Sequence, residues 1–213
     1  MNYDSLSSEE QQTLASYEKI AVERAKHRSN PMWWNAAYYY LTTFVPAGYI
    51  LDIGCAHGRD ALLFKQNSAH HYIGIDISPA MLALACIHAP QSIFVRMNMH
   101  AMAFKPAIFD GFWAAASLLH IPKYNISSVL TEIQRIVKPG AVGFIALREG
   151  NSEEMIIGNF RGDNRFFAFY QLEEFKRILV GNGFEVIMAN PDLREYNSQK
   201  PHNAWLTFFV RAL

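Results

Sequence analysis

The chain is poor in several features that mark common protein classes. It has two cysteines, Cys55 and Cys86, in 213 residues. Their number and spacing suit neither a zinc site nor a disulfide framework, and no metal ligand set is expected. A reduced, cytoplasmic setting is the expectation. Neither sign of charge is in excess, since 19 basic and 19 acidic residues cancel. A protein that reads nucleic acid through its phosphates carries a basic face, so no nucleic-acid partner is expected. No apolar run approaches the ~20 residues of a membrane span. The polar N-terminus has no signal-peptide core. Internal repeats and low-complexity tracts are also absent.

What is present is ordinary globular sequence, 51% hydrophobic and 18% charged. One domain over residues 1–213 is expected. Its organising stretch is Tyr49-Ile50-Leu51-Asp52-Ile53-Gly54-Cys55-Ala56-His57-Gly58-Arg59-Asp60. An apolar run stops at a glycine turn, and a stretch with helical character, 58–66, follows. This reads as the strand, loop and helix of an open α/β sheet. Gly54 and Gly58 permit positive φ, and the loop N–H groups and the helix N-terminus are expected to face a ligand. A dinucleotide loop, G-x-G-x-x-G, would hold a pyrophosphate. Here Ala56 replaces the middle glycine, and Asp52 would repel phosphate but suit a cation. A second acid, Asp76, ends the strand His71–Asp76 at the distance where α/β sheets hold a ribose. Ser78-Pro79 then starts a helix to Ala89, as N-cap and first-turn proline.

These two motifs, Asp52-Ile53-Gly54-Cys55-Ala56-His57-Gly58 and Asp76-Ile77-Ser78-Pro79-Ala80-Met81, resemble those of the class I S-adenosylmethionine-dependent methyltransferases. The resemblance covers about residues 46–212. It implies a Rossmann-like doubly wound sheet, mostly parallel with an antiparallel C-terminal edge hairpin. Residues 1–45 would form N-terminal helices capping the cleft, residues 46–213 the core, and residues 151–170 a substrate-covering insertion. S-adenosylmethionine would be held by Asp52, Gly54, Cys55, Ala56, Gly58, Asp76, Ile77, Asn98 and Met99, and S-adenosylhomocysteine would be the product. Asn98 stands where the family usually has an aspartate that takes the adenine amino group. An amide carbonyl still accepts such a bond, at a loss of about 1 kcal/mol.

The acceptor side is less patterned. Ser7 and Glu10 make a capping box for a helix to about Lys26, with Leu14, Tyr17, Ile20, Ala21 and Arg24 on one face. Asn30-Pro31 starts a second helix through Tyr40. Tyr17 is a candidate to close the site, or a core aromatic; Arg28 is a candidate for an anionic group, or a solvated cation. Ser117-Leu118-Leu119-His120-Ile121-Pro122 resembles the family's loop after the fourth strand, and it lacks the Asp/Asn-Pro-Pro-aromatic of base-modifying members. His120 is a candidate general base because histidine titrates near working pH, or a packing residue. Arg165 and Tyr170 are candidates for the acceptor. Helices 126–137 and 171–180 and strands 92–96, 109–117, 142–147, 183–187 and 205–210 complete the expected fold. The expected activity is methyl transfer to an oxygen, nitrogen or sulfur of a small molecule, by a monomer or homodimer. The alternative is a non-catalytic cofactor-binding module or partner subunit.

Overall fold

The computed structural model describes residues 6–27, 34–190 and 205–213. Six helices are found among them: α1 Ser8–His27, α2 Asn35–Phe44, α3 Ala61–Phe64, α4 Pro79–His88, α5 Ile126–Ile136 and α6 Leu172–Gly181. The strands are β1 Gly48–Ile53, β2 His70–Asp76, β3 Ile93–Arg96, β4 Phe109–Ala115, β5 Val137–Glu149, β6 Glu153–Ile157, β7 Asn164–Tyr170, β8 Phe184–Ala189 and β9 Trp205–Ala212.

They form one sheet in the order β3-β2-β1-β4-β5-β7-β6, with β9 joining β5 to β8. The first five strands of that order run parallel. β9 is antiparallel to both β5 and β8, the expected C-terminal hairpin. Parallel strands covered on both faces read as apolar runs, and Ile50, Leu51, Ile53, Phe112, Trp113 and Ala114 are all buried. One face packs on α5 and α6 through Val129, Ile133, Phe175 and Leu179. The other packs on α2 and α3 through Tyr38, Leu41, Leu63 and Phe64.

The local signals act as their chemistry dictates. Ser7 Oγ accepts from Glu10 N–H (3.2 Å) and Glu10 returns a carboxylate oxygen to Ser7 N–H (2.9 Å), so α1 starts at a capping box. Ser78 accepts from Met81 N–H with Pro79 in the first turn of α4. The second helix is described over Asn35–Phe44, and its expected start, Asn30-Pro31, lies outside the described residues. Two expectations are corrected. α3 is only four residues, because i+3 bonds such as Leu63 N–H to Asp60 C=O (2.9 Å) tighten its start. The segment 151–170 is not irregular: β6 and β7 pair antiparallel, and the end of β7 pairs parallel to β5.

α1 lies across the ends of the strands. Thr13 Oγ1 accepts from Phe166 N–H (2.9 Å), and Ser16 Oγ donates to Gly162 C=O (2.9 Å) while accepting from Asn164 N–H (3.0 Å). Both hydroxyls thus pin the helix to the β6–β7 hairpin.

Strand β5 also fixes the core's tolerance. Gly143 sits opposite Phe112, and a Cβ at 143 would lie 2.0 Å from that ring. Gly143→Ala is therefore expected to destabilise the fold by about 1–3 kcal/mol, as overpacking does. Urea unfolding measures it, and an unchanged midpoint would contradict this packing.

Candidate functional site

A cavity of about 230 Å³ opens at the carboxyl ends of β1, β2 and β4, under α1. β1 lies between β2 and β4, so the chain order reverses beside it. Crevices at such switch points are where open α/β sheets bind ligands. The sheet brings Asp52, Gly54, Cys55, Ala56, Asp76, Ile77, Asn98, Met99, Tyr17, His120 and Arg165 to its wall.

One end of the cavity is acidic. Asp52, Asp60 and Asp76 reach it, with Arg59 among them. Arg59 pairs with Asp60 (2.5 Å), and Asp60 also accepts from the Trp113 indole N–H (3.0 Å). Asp60 stands at the N-cap position of α3 but makes no side-chain capping bond there. Tyr72 donates its hydroxyl to Asp52 (2.6 Å). Burial pushes the Asp52 carboxyl well above its ordinary range, and Asp60 adds to this; Tyr72 and Arg59 pull the other way. Asp76 is raised by burial too, against N–H donors from Ser78 and Ala56 (both 2.8 Å).

The glycine loop does not offer its N–H groups to a ligand as expected. Gly54 and Cys55 N–H both donate to Ile75 C=O (2.8 and 2.9 Å), Ala56 N–H to Asp76, and Gly58 N–H to Cys55 C=O (3.0 Å). A pyrophosphate would find those donors spent and three carboxylates nearby. A cation fits this end; a phosphate does not. Ala56 holds φ +47° and Ala116, after β4, holds φ +66°. Both line the cavity, so backbone strain sits at the site, costing on the order of 1–2 kcal/mol per residue. Gly54 is required: a Cβ there would meet Ser117 Cβ at 2.5 Å.

Just beyond β3, Met97, Asn98 and Met99 line the cavity, as do Leu6, Glu10 and Leu14 of the α1 region. Asn98 is buried, and its Oδ1 accepts from His100 N–H (3.0 Å).

The opposite end holds a polar chain. His120 Nδ1 lies 2.6 Å from the Phe166 carbonyl oxygen, so it carries the proton and donates. Nε2 is then the acceptor for the Tyr17 hydroxyl at 2.8 Å. Arg165 donates to the same hydroxyl (3.2 Å) and pairs with Asp163 (2.5 Å). Burial first, and the Arg165 charge next, lower His120 to about 3. The expected near-neutral titration is corrected: His120 stays uncharged and is a weak base.

Two other expectations change. Tyr170 is fully buried, stacks edge-on against Phe175 and lies off the cavity, because the end of β7 pairs with β5 and turns it into the core. Gly58 has φ +75°, but it packs against Ala85 and Phe94 rather than lining the cavity. Arg28 lies outside the described residues. Glu10, Trp34, Arg59, Asp60, Ser117, Arg148 and Trp205 also line the cavity, and none of them is among the site residues expected from the sequence. The Gly58-Arg59-Asp60 triplet, placed directly after an acidic loop, is the available signal for Arg59 and Asp60. Among the described residues no group of His, Cys, Asp and Glu is placed to hold a metal ion, and no helix is long and apolar enough to cross a membrane.

The raised Asp52 value has a consequence for stability. A carboxyl whose folded pKa is raised contributes fully below its unfolded value of about 3.9, and that contribution is lost as pH rises through the folded value. Asp52→Asn keeps an acceptor for Tyr72 and cannot ionise. Its melting temperature without ligand is expected to match the wild type near pH 4 and to exceed it increasingly towards pH 8, by about 2–4 °C per kcal/mol. A pH-independent difference in thermal unfolding would contradict it.

Comparison with known proteins agrees with this geometry. The sequence profile of the family described as "Methyltransferase domain" matches residues 50–140. An O-methyltransferase (rstn1) of Aspergillus nomiae is 29% identical over 147 residues, 65% of this chain and 64% of that protein. The matched stretch spans 45% and 38% of two further curated relatives, so the chain covers less than two thirds of each. Among solved structures, the Burkholderia thailandensis 1,6-didemethyltoxoflavin-N1-methyltransferase, with 1,6-didemethyltoxoflavin and S-adenosylhomocysteine bound, superposes with TM-score 0.72. It is 18% identical, over 97% of this chain and 91% of that one. The [4+2]-cyclase SpnF superposes with TM-score 0.65 at 17% identity, over 84% and 81%. With residues 50–140 matched to that family, and with an acid-ended β1, glycine loop and acid-ended β2 around one cavity, this stretch is a methyltransferase domain similar to the class I S-adenosylmethionine-dependent methyltransferases.

Proposed function

We propose that this chain transfers a methyl group from S-adenosylmethionine to a hydroxyl oxygen of a small-molecule acceptor. The observation that carries the reading is the cavity's division into an acidic end and a Tyr17–His120–Arg165 end. When bound, the cofactor supplies a methyl group already activated on a sulfonium. Asp52 and Asp60 would stand near its cationic part, Asp76 would accept from its ribose hydroxyls, and Asn98 and Met99 would border its ring.

The acceptor then meets Tyr17. That hydroxyl donates to His120 and accepts from Arg165, and its oxygen keeps a lone pair for the acceptor's own O–H. His120, held near 3, does not take the proton of an aliphatic alcohol. The reading therefore favours an acceptor that ionises readily, a phenol or enol. Several curated relatives are named O-methyltransferases, which supports oxygen over nitrogen or sulfur. The weak base also favours a second reading, a cofactor-holding module without methyl transfer; a single-turnover assay against mixed phenolic metabolites separates the two.

Thermal shift tests the cofactor. S-adenosylmethionine or S-adenosylhomocysteine at 100 times its dissociation constant should add about 2.7 kcal/mol, or roughly 5–10 °C at this size, with no shift from NAD. Asp76→Ala should abolish the shift; an undiminished shift in that variant sinks the assignment. Tyr17→Phe should keep cofactor affinity and lower turnover of a phenolic acceptor by about 10²-fold. Unchanged turnover would remove Tyr17 from the reaction.

A further inference from the structure

Glu10 sits in the first turn of α1, yet it is only 7% exposed and forms part of the cavity wall. One carboxylate oxygen accepts from Ser7 N–H (2.9 Å) and the other from His100 Nε2 (2.5 Å). A carboxylate has about four lone-pair positions, so acceptor capacity remains on the cavity side.

The surroundings say what that capacity meets. Leu6, Leu14, Met97 and Met99 line the same cavity, and methionine and leucine suit the face of a flat ring. The other side-chain acceptor there is Asn98, whose Oδ1 takes His100 N–H (3.0 Å) and carries no charge. His100 thus bonds both: its backbone to Asn98, its ring to Glu10. A flat heteroaromatic with an exocyclic amine would find in Glu10 a charged acceptor, and charge-assisted bonds of this kind are the strong ones.

We propose that Glu10, reaching in from α1, is the acceptor for the exocyclic amine of the cofactor's adenine ring, and so supplies the carboxylate that position 98 lacks. The inference rests on the S-adenosylmethionine reading above. It makes Glu10 a specificity-determining residue: an oxo group in place of the amine would set two oxygens against each other.

The test is calorimetric binding of S-adenosylhomocysteine and of S-inosylhomocysteine, its analogue with oxo for amino, to the full chain. Wild type should prefer the amino compound by about tenfold or more. Glu10→Gln preserves the capping box, since glutamine serves at that position, and should reduce the preference to about twofold or less, because its amide can turn either group to the ring. Adding Asn98→Asp to that variant should restore the preference. Because the readout is a ratio of two ligands on one protein, a loosened helix alone does not move it. Wild-type preference retained in Glu10→Gln overturns this inference while leaving the cofactor reading intact. Failure of wild type to bind either compound overturns both.

Discussion

Asp52, Asp60 and Asp76 are brought into one cavity with Arg59 set against them, and most of the molecule's architecture follows from holding them there. Parallel pairing of β1 with β2 and β4 ends Asp52 and Asp76 on the same side of the sheet. The loop spends its N–H groups on Ile75 C=O and on Asp76, which fixes the acids but leaves few donors for an anion. Tyr72 and Trp113 each give one further bond, to Asp52 and Asp60. Burial first, and the neighbouring carboxylates next, raise Asp52, so holding these acids together carries a free-energy cost that a cationic ligand offsets. Strained alanines at 56 and 116 add to a site arranged for binding rather than for stability.

The second constraint is closure. α1 roofs the cavity, with buried polar side chains pointing down: Glu10 towards His100, Thr13 and Ser16 towards the β6–β7 hairpin, Tyr17 towards His120. Glu18 extends this to α4, accepting from Ser78 Oγ and from Ala80 N–H (3.3 Å). One helix therefore touches the elements expected to meet the ring, the ribose and the acceptor. Under the proposed function the Tyr17–His120 end, with His120 uncharged, would position and polarise an acceptor rather than deprotonate it, which suits chemistry in which the cofactor brings the reactive group.

Much of this was legible before any coordinates. The acid–glycine loop, the acid ending β2 and the Ser78-Pro79 start of α4 are local signals, and local chemistry decided them. The apolar spacing of α5, with Val129, Ile133 and Ile136 buried, is likewise read from one helix. What escaped depends on distant partners. Tyr170 looks like any aromatic in a mixed stretch until β7 pairs with β5. The 151–170 segment lacks clean alternation, so its hairpin needed the sheet to declare it. Glu10 announced itself as a cap, but its bond to His100 spans 90 residues. The near-neutral titration expected of His120 fails because burial and the Arg165 charge are tertiary facts.

The most direct test of the acidic end is calorimetric binding of S-adenosylmethionine and S-adenosylhomocysteine between pH 5.5 and 8, in buffers of different ionisation enthalpy. Carboxyls raised by burial must give up protons to meet a cation. Affinity for the sulfonium compound should then rise with pH, with net proton release that exceeds the release for the uncharged sulfur compound. Equal, pH-independent affinities with no proton release would contradict the account of Asp52 and its neighbours.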